Sequence, residues 1–167
     1  MSFLLAAIAA TVAALLEVTI AAFAVFGDAH LHLVLVLTVA WAVASGLQGG
    51  AAVAFVGGIV LDALTGRPFG VTVLALLLVA GAASLAAQSL LRLRPVIAVL
   101  LTPILSLAAS MVILVVSSAV LASASGPVDA LAAFGPGAVL DGGLALVVGP
   151  LAASLRDRTF AIERVDW

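Results

Sequence analysis

Charged residues are few in this chain and most sit beside turn formers, so they mark the ends of apolar runs rather than alternate within them. Measured against the roughly 20 residues that a hydrocarbon core demands, those runs predict six helical spans, at about 3–26, 31–45, 47–64, 69–91, 95–124 and 138–155. They make a single transmembrane domain over 1–155, followed by a short polar tail over 156–167. Gly27, Asp28, His30 and His32 mark the first loop. From Ala29 to Leu61 no Asp, Glu, Lys or Arg occurs across 33 residues. As one helix that stretch would measure about 50 Å against a hydrocarbon thickness near 30 Å. Ser45, Gly46, Gln48, Gly49 and Gly50 therefore read as a tight hairpin that splits it, with Trp41 as an interfacial anchor. Thr65, Gly66, Arg67 and Pro68 make the next turn, and Arg92, Leu93 and Arg94 close the fourth span. Pro95 is placed to start the fifth span, and Pro103 should kink it. Gly126, Pro127, Asp129, Gly135 and Pro136 read as a loop over Ser123 to Gly137. The sixth span carries Asp141 in its first turn and a break at Gly149 and Pro150.

One stretch is patterned beyond its apolarity. Gly50, Ala54, Gly58 and Asp62 recur at i, i+4, so a seam of near-bare backbone runs up one helix face to a carboxylate. Small residues let a second helix approach closely in lipid, and an ionisable group there normally faces a partner or a wet cavity. Ala6, Ala10 and Ala14 give the first span a similar face. The seam is expected to be a docking surface or the wall of a site.

Composition turns the helical pattern into a membrane protein. Of 167 residues 66% are hydrophobic and 8% charged, where a soluble domain carries about a quarter charged residues. Lipid must therefore supply the solvent. There is no Cys, which excludes disulfides, thiol catalysis and thiolate metal sites. All six cations are Arg, and a net charge of −2 argues against a nucleic-acid partner. The amino-terminal run has no basic flank and holds Glu17 within it, so it reads as a retained span rather than a cleaved signal. With six spans, Arg92, Arg94, Arg156, Arg158 and Arg164 share one side and only Arg67 lies opposite. The positive-inside rule then puts both termini in the cytoplasm. Glu17, Asp62 and Asp141 fall in the outer half of the membrane, as an acidic pocket for a cation or as contacts for an extracytoplasmic partner.

Each candidate constellation has a structural reading beside its functional one. Asp62 and Arg67 could be a local ion pair across a turn. Glu17 is deeper and costs roughly 2 to 3 kcal/mol if ionised, so it either works or is protonated and bonded to a neighbouring helix. His30 and His32, two apart, point to different sides of a helix and have no third ligand nearby, which favours interfacial polar residues over a metal site. Asp62 and Asp141 lack the G-x-G-D context of intramembrane aspartyl proteases. No phosphate-loop, nucleophile-elbow, zinc-protease or dinucleotide motif is present, and neither a catalytic site nor a cofactor is expected.

An acid-bearing first helix, the Gly50, Gly57, Gly58, Asp62 helix and the following Gly66, Pro68, Gly70 turn together resemble the rod shape-determining protein MreD family. The last span, with Asp141, Pro150, Arg156 and Arg158, is similar to that family's too, although the family more often has Asn at the acid and Gln where Glu17 stands. The usual proline-acid pair of the first loop is absent. The resemblance implies a non-enzymatic integral scaffold of the cell-elongation machinery in the bacterial inner membrane. It further implies binding to an MreC-like single-span protein, with indirect links to MreB and RodA-PBP2. The expected partner surface is Gly50, Ala54, Gly57, Gly58, Asp62, Gly66, Arg67, Pro68 and Gly70, with Glu17 and Asp141 as intramembrane polar groups. The fold implied is all-α and polytopic, with about six transmembrane helices resembling the S-component fold of energy-coupling factor transporters. A rival function follows: a substrate-binding S component for a vitamin or cation, with Ala6, Ala10 and Ala14 meeting the coupling subunit. Against it, no rich polar or aromatic cluster appears in the outer loops.

Overall fold

A computed structural model describes residues 2–23, 31–89, 94–121, 137–151 and 154. Six helices account for nearly all of them: α1 (Ser2–Phe23), α2 (Leu33–Ser45), α3 (Leu47–Thr65), α4 (Val71–Ser89), α5 (Arg94–Leu121) and α6 (Gly137–Leu151). No strand occurs among the described residues. Four helices contain stretches long and apolar enough to cross a membrane, Phe3–Ile20, Leu47–Thr65, Val71–Ser89 and Val99–Ala119. The expected loop residues Gly27, Asp28, His30, Arg92, Asp129 and Ser123 to Pro136, and the tail from Leu155, lie outside the described residues.

Helix α2 is the centre of the bundle. It packs against α1, α3, α4 and α5. Its sequence, LVLVLTVAWAVAS, is apolar all round, the mark of a helix enclosed by protein rather than set at a surface, and Val34, Val36, Val39 and Ala42 are fully buried. At 13 residues it is only about 20 Å long. A helix sheathed by its neighbours need not reach both faces of the bilayer, but one that stops short leaves its first N–H groups inside the bundle.

The chain turns from α2 to α3 at one residue, Gly46, whose φ of +81° an L side chain rarely adopts. Beyond the turn the two helices touch backbone to backbone. A Cβ at Gly50 would lie 2.8 Å from the Ala42 Cα. The small-residue seam of α3 is thus filled from inside the chain. Gly57 faces Val34 and Ala10, and Gly58 faces the Val73 backbone. Gly50, Ala54, Gly57, Gly58 and Asp62 are all buried. The face expected to receive a partner's helix instead receives α1, α2 and α4, because only glycine there lets three neighbours converge. Ala6, Ala10 and Ala14 are likewise buried within the chain.

Two further expectations change. Trp41 is no interfacial anchor: it packs into the core with Ala6, Ala10, Ala40 and Val53. Helix α6 runs through Gly149 and Pro150 to Leu151 without a break. Proline at 150 removes a donor only from the last turn and leaves the ladder before it intact. Helix α5 is continuous through Pro103, and a Cβ on Gly142 of α6 would come within 2.7 Å of the Pro103 ring. The proline that interrupts the α5 ladder therefore packs directly against Gly142 of α6.

Candidate functional site

The three acids within the helical core act alike, each accepting from backbone N–H groups at the start of a helix. The clearest case is Asp62, 1% exposed at the end of α3. The Gly70 N–H donates to its Oδ2 at 2.8 Å and the Thr72 N–H to its Oδ1 at 3.2 Å. A carboxylate from the preceding helix thus caps the amino end of α4, which has neither an acid in its own first turn nor a described side-chain cap. No Asp62–Arg67 ion pair forms among the described residues. Arg67 is exposed, and the carboxylate is already engaged.

The second capping site lies at the buried start of α2. The Val34 N–H donates to Glu17 Oε2 at 2.9 Å, so the acid in α1 takes one orphan donor. The His32 N–H donates to Asp141 Oδ1 at 2.8 Å, so the acid in α6 takes another. Asp141 goes further. His32 Nδ1 lies 2.9 Å from its Oδ2, and the Ser106 hydroxyl of α5 donates to the same oxygen. Asp141 is fully buried, yet both oxygens are used, which is the condition for burying a carboxylate at tolerable cost. One residue of α6 is thereby tied to α2 and α5 at once.

His32 sits just ahead of α2. Burial works against its charge, but the hydrogen bond and Coulomb attraction of Asp141, with Glu17 nearby, outweigh it and raise its pKa above the ordinary value; Arg67 opposes this weakly. Because His32 pairs with one carboxylate and sits near another, it is an organised part of the core rather than a loose interfacial residue. No group of three or more His, Cys, Asp or Glu among the described residues is arranged to hold a metal.

Matched against protein-family models, the chain fits that of the rod shape-determining protein MreD over residues 1–152. The chain belongs to the MreD family. MreD membership implies a role in determining rod cell shape, and the family is generally not enzymatic. Neither a curated protein nor a solved structure matches, so the likeness to S components has no matching structure behind it. At 17 and 141 a carboxylate or a carboxamide would equally supply the acceptor oxygen that this helix start needs.

Sequence reasoning singled out Glu17, Asp62 and Asp141 but missed Ser106. A signal was present. Thr102, Ser106 and Ser110 recur at i, i+4 in an otherwise apolar helix, and all three are buried. That stripe marks the α5 face turned inward.

Proposed function

We propose that this chain is a non-enzymatic scaffold of the elongation machinery in the inner membrane, binding an MreC-like single-span protein and through it linked to MreB and RodA-PBP2. The observation that carries the docking part is the turn between α3 and α4. Gly66 and Gly70 both have positive φ, +66° and +95°, and Asp62 holds the far side of the turn through Gly70 and Thr72. Two neighbours of those glycines are thereby presented outward on a fixed frame: Arg67 is exposed, and Phe69 is 77% exposed.

With the buried part of the seam occupied by the chain's own helices, Gly66, Arg67, Pro68 and Gly70 remain as the accessible portion of the expected partner surface. The arginine distribution puts both termini in the cytoplasm and this turn on the opposite side. There a single-span partner's chain leaves the membrane. An aromatic and a guanidinium side by side suit a segment with an apolar residue next to an acid. Elsewhere the exposed Leu, Ile and Val side chains of α1, α5 and α6 suit the lipid bilayer.

Affinity purification from native membranes in mild detergent tests this. The expected result is recovery of a single-span MreC-like protein, and its loss on combining Arg67→Glu with Phe69→Ser. Recovery of a coupling subunit with ATPases instead would contradict the proposal.

A further inference from the structure

We infer that Glu17, His32 and Asp141 form a partly buried proton-binding joint that fastens α6 to the start of α2. The inference stands on the hydrogen-bond geometry and is independent of any partner. Hydrogen bonds from His32 to Asp141 come from both its backbone N–H and its ring Nδ1. When the ring donates from Nδ1 to a carboxylate, Nε2 is left as the place where a proton is gained or lost. The groups acting on the ring come from every side. Glu17 in α1 and Asp141 in α6 favour its cation, and Arg67 in the α3–α4 turn opposes it. From α5 comes the neutral Ser106 hydroxyl, bonded to Asp141.

Gln and Asn at 17 and 141 would keep the backbone caps, since a carboxamide oxygen also accepts from the Val34 and His32 N–H groups. Such a joint would hold without regard to pH. The two acids add one thing the amides lack, attraction for a proton on His32. In this chain the fastening therefore depends on proton concentration at the capping end of the bundle. Its sign follows from the geometry: an imidazolium that donates from Nδ1 to the Asp141 carboxylate binds its proton more tightly folded than unfolded. The added stability is present at low pH and is lost as pH rises through the folded-state value.

The chain has two histidines, so His30→Gln leaves His32 as the only imidazole. In that background, proton titration of the ring followed by NMR in micelles reads the site directly. Asp141→Asn is expected to lower the proton affinity about tenfold or more, and Glu17→Gln to lower it by a smaller factor. An unchanged midpoint in Asp141→Asn would overturn the inference. If that variant does not fold, Glu17→Gln, which keeps the Val34 cap, decides instead, and an unchanged midpoint there overturns it equally.

The fastening has its own readout. In a Glu17→Gln background, which removes the nearby acid of α1, the stability gap between the His32 protein and His32→Asn in thermal unfolding should be wider at pH 5.5 than at pH 8.5, the His32 protein being the more stable. Parallel pH profiles for the two would refute a proton-dependent joint.

Discussion

Gly58→Ala is the sharpest probe of how α3 is packed. A Cβ there would lie 2.7 Å from the Val73 Cα, and 2.9 Å from both its N and its Cγ2. Two of those atoms are backbone and cannot rotate away. Restoring ordinary contact moves α4 outward by about 1 Å, and a gap of that size forfeits a quarter to a half of the dispersion along the contact. Overpacking of this kind costs about 1–3 kcal/mol. The shift also pulls the Gly70 and Thr72 N–H groups from Asp62, weakening bonds worth about 1.5–3 kcal/mol each to a charged acceptor. Against this, Gly→Ala in a helix returns about 1 kcal/mol of propensity. The net is a loss of roughly 2–4 kcal/mol. Gly81→Ala in α4 is the matched control, because a Cβ there meets nothing within 4 Å. Thermal unfolding in mild detergent, followed by Trp41 fluorescence, should show Gly58→Ala falling by on the order of 5–10 °C while Gly81→Ala holds or rises. Equal midpoints would refute the reasoning and return the seam to the surface as a docking face.

Asp62→Ala strands the Gly70 and Thr72 donors and should cost about 2–4 kcal/mol, whereas Asp62→Asn keeps one acceptor oxygen and should cost less than half of that; unfolding midpoints compare them. Glu17→Ala should destabilise by about 1–3 kcal/mol through the unpaired Val34 N–H, and Glu17→Gln should restore most of it. A larger residue at 142 meets the Pro103 ring, so Gly142→Val should cost about 1–3 kcal/mol and make the segment from α6 onward the first to be cut in limited proteolysis.

How far the chain could be read without its structure varies by element. The break at Gly46 was legible from helix length alone, because 33 uncharged residues cannot form one span. The α3 seam was legible as a pattern, but its occupant was not. Spacing says that a helix can come close, and it takes topology to say that α1, α2 and α4 do so. Trp41 misled for a related reason. Beside a glycine-rich turn it has the look of an interfacial anchor, yet the hairpin closes so tightly that the indole faces Ala6 and Ala10. The acids were legible as costly and therefore partnered. Their partners were not, since backbone N–H groups carry no residue-type signal. What locates them is the shortness of α2, which buries a helix start that Glu17 and Asp141 must then satisfy.

The most direct test of the account is cell shape when Arg67→Glu with Phe69→Ser is the sole copy of the gene in its native cell. Both side chains are exposed, so the protein should accumulate at its normal level with its normal unfolding midpoint. The account predicts rounded cells that no longer retain the single-span partner. Cells of normal shape, with that variant folded and present, would contradict it.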